Sequence, residues 1–150
     1  MSKKQVIEGH FRNSILKLGN VFIDKIQVNP YALTSTQGDF LIQSPNFDIV
    51  VECKEVRIKN RKTQPKFYIE RFTQEYKLNE FSKRNERNLG FLFLCFWNGR
   101  KENSHAYFIP IDIWLMCKKT LSRKTIGIES CDLIFKNWKL NKEWDFSLYL

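Results

Sequence analysis

The chain has 150 residues, 43% of them hydrophobic and 15% aromatic, enough to bury one sizeable core and little more. Twenty-five Lys and Arg against 16 Asp and Glu leave a net charge of +9, which favours a polyanionic partner, and the scattered aromatics point to nucleic acid before a membrane surface. No apolar run is long enough for a membrane span, and MSKKQVIEGHFRNS has no signal core; a soluble, intracellular, single-domain protein over 1–150 is expected.

In chain order, Ile7, Phe11, Ile15 and Leu18 recur at helical spacing, which predicts a first helix over Gln5–Leu18 ended by Gly19-Asn20. Val21–Val28 is β-rich and is broken by Asn29-Pro30. Two further strands follow, Phe40–Ile42 and Phe47–Val56, and then a loop, Lys59–Lys66, carrying Lys59, Arg61, Lys62 and Lys66. That loop is either a solvated connector or a nucleic-acid-facing one. A second helix is predicted over Ile69–Arg87, with Gln74, Leu78 and Phe81 on one stripe. NLGFLFLCFW reads as a buried strand and AYFIPI as another ended by proline. The tail is less regular: a short helix near Ile113–Lys119, a basic turn Ser122-Arg123-Lys124, and WDFSLYL. Helix, three strands, helix and two strands make an α/β sandwich around one central sheet.

Cys53, Cys95, Cys117 and Cys131 contain no CxxC pair, and His10 and His105 are the only histidines. This pattern speaks against a zinc site and for buried free thiols in a reducing compartment.

The acids of GDFLIQSPNFDIVVECKEV carry the chemistry. Ile49, Val51 and Cys53 alternate onto one face, expected to be core, while Asp48, Val50, Glu52 and Lys54 share the other. A turn centred on Pro45-Asn46 sets Asp39 opposite Glu52, with Cβ atoms about 4.5–5.5 Å apart. Asp48 stands four residues before Glu52, roughly 13 Å along the strand, too far to share an ion. Opposed carboxylates repel unless neutralised, so this face is either a salt-bridged patch or a metal site. Oxygen ligands without histidine suit Mg2+ or Mn2+, and with a nearby lysine they suit phosphodiester hydrolysis.

GDF, twelve residues and then Glu-Cys-Lys resembles the PD-(D/E)XK nuclease signature, with Gly38 where proline is common. Glu8 on the first helix, Gln74-x-x-x-Leu78, the strands NLGFLFLCFW and AYFIPIDIW, the turn SRKTIGIES and the closing DFSLYL are similar to parts of Holliday-junction resolvases of the RecU and Hjc types. The resemblance implies a restriction-endonuclease-like fold, a mixed sheet flanked by helices in the order αβββαββ with a C-terminal extension. It implies Asp39 and Glu52 as metal ligands with the Cys53 carbonyl, Lys54 positioning the attacking water, Glu8 completing the metal shell directly or through water, and Gln74 bracing the site. From the residues alone, Glu8 also reads as a solvated helix glutamate paired with Arg12, and Gln74 as a polar residue at the core boundary.

The activity so implied is a Mg2+- or Mn2+-dependent DNA endonuclease, most like a junction resolvase, working as a homodimer or higher homo-oligomer. Only Val28–Gln37 occupies the place of the RecU stalk insertion, so homing and restriction-type endonucleases of the same fold are alternatives, as is a nucleic-acid-binding module without catalysis. Phosphate contacts are expected from Arg12, Lys59, Arg61, Lys62, Lys66, Arg71, Arg123 and Lys124.

Overall fold

The computed structural model describes residues 3–27, 38–59, 64–121 and 123–150. Its helices are α1 (Lys3–Leu16), α2 (Glu75–Lys83), α3 (Ile111–Thr120) and α4 (Ile128–Ile134). Its strands are β1 (Phe22–Lys25), β2 (Phe40–Gln43), β3 (Asp48–Arg57), β4 (Lys66–Tyr68), β5 (Asn88–Trp97), β6 (His105–Pro110) and β7 (Thr125–Gly127). Five strands form one sheet in the order β1-β2-β3-β5-β6, and β4 pairs with β7 in a separate ribbon. Only the β3–β5 pair is parallel within the large sheet, so the sheet is mixed. No helix among the described residues is long and apolar enough to cross a membrane.

The parallel pair explains the apolar run of β5. A parallel strand needs a crossover that returns over the sheet, which leaves both faces covered. On one face Ile7, Phe11 and Ile15 of α1 pack on Ile49, Val51, Cys53, Phe91, Phe93 and Cys95, closed by Trp144 and Phe146 of the C-terminal segment. On the other, Val50, Leu92, Leu94 and Phe96 meet Leu78 of α2, Trp114 of α3 and Phe135 beyond α4. This second layer corrects the expectation that only the odd residues of β3 face a core.

Other boundaries also shift. The predicted second helix is shortened: Lys66–Tyr68 before it is a strand, Ile69–Arg71 is a single 3-10 turn, and the α-helix runs only over Glu75–Lys83. Phe67 and Ile69 are buried by the β4–β7 ribbon and its neighbours, so a distant pairing overrides the local helical spacing. Helix α3 begins two residues earlier than expected, directly after Pro110, and α4 was not expected in the tail. The thiols behave as anticipated: all four are free, with Cys53, Cys95 and Cys131 buried.

Helices α2 and α3 are clamped by Glu75, a buried carboxylate that accepts hydrogen bonds from Trp114 Nε1 at 3.0 Å and from Lys118 Nζ. The sheet edge at β6 is covered by the C-terminal segment. Leu140 N–H donates to the Ala106 carbonyl at 2.9 Å, while Tyr107 O–H and Lys139 Nζ both donate to Asp132. Covering an edge in this way blocks pairing with another chain.

Gly90 marks the closest approach of helix to sheet. A Cβ there would lie 2.8 Å from the Leu78 carbonyl oxygen and 3.2 Å from Ile111 Cγ2. Gly90→Ala is expected to cost about 1–3 kcal/mol in urea unfolding by forcing α2 off β5; an unchanged midpoint would contradict this packing.

Candidate active site

The hairpin turn sets the register of β2 on β3. Ser44 N–H donates to the Phe47 carbonyl at 2.9 Å and Phe47 N–H to Ser44 Oγ at 3.1 Å, which fixes Pro45 and Asn46 at the tip. Ladder pairs then run Gln43↔Asp48 to Phe40↔Val51, and Asp39 follows at the end of the ladder. Here the regular ladder ends, because Asp39 N–H donates to the Val51 carbonyl at 2.8 Å. Gly38 permits this approach: a Cβ would lie 2.9 Å from both Val50 Cγ1 and the Val51 oxygen. Proline carries a Cβ as well, so the departure from the motif's usual proline has a local steric reason.

Three bonds anchor Asp39. Besides its own N–H, its carbonyl accepts from Ile26 N–H at 2.9 Å, and its Oδ2 accepts from Cys53 N–H at 2.8 Å. The side chain is thereby aimed at the stretch of β3 between Glu52 and Lys54. Glu52 is 1% exposed, and Lys54 Nζ lies 3.3 Å from its Oε1. Residues i and i+2 share a strand face, so the lysine reaches the carboxylate without distorting the strand. The Cys53 thiol points the other way, into the α1 core.

Helix α1 brings Glu8 to the same end of the sheet. Its Oε2 accepts from Lys25 Nζ at 2.9 Å, and Lys25 pairs with Phe40, next to Asp39. Glu8 is buried, with Lys25 as its cation in place of the expected Arg12, which is exposed. Nothing local in the sequence announces Lys25, because the pairing needs α1 laid over β1. Asp48 is paired with Arg87 at 3.9 Å by the hairpin tip, away from Glu52 as its spacing demands.

Gln74 is the N-cap residue of α2 rather than a position within the helix, and makes no side-chain cap bond. Its Oε1 is buried without a hydrogen-bond partner among the described residues. Such an acceptor is costly to leave unmatched and calls for a donor.

The expected phosphate contacts fall into several places. Lys66 on β4 and Arg123 before β7 line one cleft of about 330 Å³. Lys124 is exposed beside them, its carbonyl accepting from Ile69 N–H at 3.0 Å. Arg71 donates to the Glu55 carbonyl at 3.3 Å, close to Lys54 in the chain of β3, and Lys59 is exposed past the end of that strand. Arg61 and Lys62 lie outside the described residues. Sequence reasoning passed over Arg57 and the cations of the turn Asn98-Gly99-Arg100-Lys101; the Asn-Gly pair followed by two bases was the available signal.

The described residues hold no group of three or more His, Cys, Asp and Glu side chains suited to a metal. Two carboxylates with a backbone carbonyl form a sparse, all-oxygen donor set, which suits Mg2+, an ion that keeps several waters and takes one or two carboxylates.

Lys54→Met keeps most of the side-chain volume and removes the ammonium beside a buried carboxylate. It is expected to lower unfolding stability by about 3 kcal/mol, whereas a loss below about 0.5 kcal/mol, the range of ordinary surface changes, would show that the pair is not what holds Glu52.

Compared with known proteins, the chain matches no family model and no curated sequence. Its structure is similar to that of Hjc, a Holliday junction resolvase from the archaeal hyperthermophile Archaeoglobus fulgidus. The TM-score is 0.50 at 10% sequence identity, over 87% of this chain and 93% of that one. The α/β fold is thus the restriction-endonuclease-like fold expected for the PD-(D/E)XK nucleases.

Proposed function

We propose that this chain, on its PD-(D/E)XK nuclease fold, is a Mg2+-dependent DNA endonuclease of the junction-resolving type. The observation that carries the reading is Asp39 Oδ2 held at 2.8 Å by the N–H of Cys53, the residue between Glu52 and Lys54, with Lys54 Nζ 3.3 Å from Glu52 Oε1. The Hjc likeness supports the same reading through fold, and the excess of positive charge supports a DNA partner.

Asp39 and Glu52 would hold the ion together with the Cys53 carbonyl. When bound, the ion supplies an activated water and neutralises charge on the phosphoryl oxygens. The remaining work belongs to the chain. Hydrolysis forms a bond from water oxygen to phosphorus and breaks a bond from phosphorus to one ester oxygen, which leaves as a hydroxyl after taking up a proton. Lys54 serves by holding the attacking water or a non-bridging oxygen and by balancing negative charge as it develops. Cys53 N–H keeps Asp39 Oδ2 in place at 2.8 Å, and Gln74 Oε1 accepts a hydrogen bond from water at the site. Glu8 acts through Lys25, positioning the end of β1 against Asp39. A homodimer would pair two such sites for coordinated cuts in two strands.

Incubation of a mobile four-way junction, its matching linear duplex and supercoiled plasmid with Mg2+ tests the proposal. The junction is expected to be nicked symmetrically, with the linear duplex left largely intact. Asp39→Asn and Lys54→Met are each expected to lower cutting by about a hundredfold or more while junction binding stays within a few-fold of wild type. A wild-type protein that binds the junction and cuts none of the three overturns the enzyme reading. Cutting at one duplex site in place of the junction replaces resolution with site-specific cleavage.

A further inference from the structure

A second polar cavity lies beyond the end of β5. It has a volume of about 540 Å³ and is lined by His10 and Lys17 of the N-terminal region, the turn Gly99–Glu102, and Lys142 and Glu143 of the C-terminal segment. Its four Lys and Arg outweigh its two glutamates. Arg100 is shared with Glu102 at 3.8 Å, whereas Lys17, Lys101 and Lys142 make no salt bridge among the described residues.

The cavity is built on buried aromatics. Lys101 Nζ donates to Ser14 Oγ at 3.0 Å and lies 5.5 Å from the Trp144 ring centroid. The His10 ring lies 5.0 Å from Trp97 in a tilted arrangement. Trp144 adopts a left-handed φ of 56°, a conformation bulky residues rarely take. Asn141 holds that turn, with its Oδ1 accepting from the N–H groups of Glu143 and Asp145, both at 3.1 Å. Lys101 is therefore fixed over an indole with a hydroxyl as its direct partner. Burial, and then the neighbouring Lys17, lower its pKa, while Glu143 and Glu102 act the other way.

Placement connects the cavity to the candidate active site. Arg57 and Trp97 are register partners at the ends of β3 and β5. Arg57, Trp97 and Gly99 line a smaller cavity of about 280 Å³, which shares Gly99 with the larger one. Lys54 precedes Arg57 by three residues on the same strand, about 10 Å at about 3.3 Å per residue. That is about three nucleotides of a strand rising about 3.4 Å per step. Lys54 and Arg57 face opposite sides of β3, so a DNA strand held at Lys54 reaches this cavity by passing around the end of β3 to the α1 side of the sheet.

We propose that the cavity under Arg100, Lys101 and Lys142 is a phosphodiester-binding site that grips the DNA backbone away from the cut, beyond the end of β3. The identity of the anion as DNA rests on the endonuclease reading; its capture does not require cutting. The test is therefore binding without any divalent ion, with fluorescence anisotropy of a labelled junction measured across a salt series. Arg100→Ala/Lys142→Ala changes two exposed side chains outside both cores and is expected to fold as wild type. It should bind about tenfold more weakly and flatten the slope of log K against log salt by about 1 or more. Lys83→Ala/Lys119→Ala removes the same charge at exposed positions outside the cavity and should lose far less. Equal losses in the two double variants, or an unchanged slope in the first, overturn the site. Failure to cut under Mg2+ would bear on the endonuclease reading alone, since this measurement reads binding only.

Discussion

Glu52 sits in the middle of a strand covered on both faces, and a carboxylate in that position needs cationic company. Moving an ion of this kind out of water costs several kcal/mol after relaxation, so Lys54, 3.3 Å away on the same strand face, is part of the condition for building β3 at all. The parallel pairing with β5 creates the problem, since it places β3 inside the sheet with α1 on one side and α2 and α3 on the other. The same pairing makes the strand stiff enough to hold charged groups at fixed positions. A scaffold that orders its functional side chains on strands places them more firmly than a loop does.

Asp39 depends on that strand in turn. It stands at the mouth of β2, where the ladder is about to end, and would be free to turn away were it not tied to β3 through Val51 and Cys53 and to β1 through Ile26. Gly38 makes the close approach possible. Glu8 and Lys25 then close the edge of the sheet beside it. The chain thus spends backbone hydrogen bonds, one glycine and one ion pair on bringing two acids and a lysine to the same end of β3. The proposed activity is a use of that arrangement.

Much of this arrangement was legible in the sequence because it follows from short-range rules. The turn at Pro45-Asn46 and the alternation of β3 set the register of β2 on β3 from Gln43↔Asp48 to Phe40↔Val51, and the spacing of Asp48 from Glu52 rules it out as a partner there. The apolar runs of β5 and β6 were equally plain. What escaped depends on contacts between distant parts of the chain. Ile69 was read as the start of a helix, but Lys66–Tyr68 just before it pairs with Thr125–Gly127 and Ile69–Arg71 forms a single 3-10 turn. Glu8 looked like a partner for Arg12, one helical turn away, until β1 supplied Lys25. Gln74 kept its place before Leu78 but moved from the body of the helix to its cap. The second core was missed because Glu52 and Lys54 made the even face of β3 read as polar, although Val50 and Val56 on that face are buried.

The account turns on whether Asp39 and Glu52 act together as a site for a hydrated divalent cation. Titration calorimetry with Mn2+, on the wild-type chain and on Asp39→Asn and Glu52→Gln, asks this without reference to any DNA or any cut. Saturable uptake by the wild type, weakened at least about tenfold in each variant, is the predicted result. Uptake of equal strength by all three proteins would contradict it.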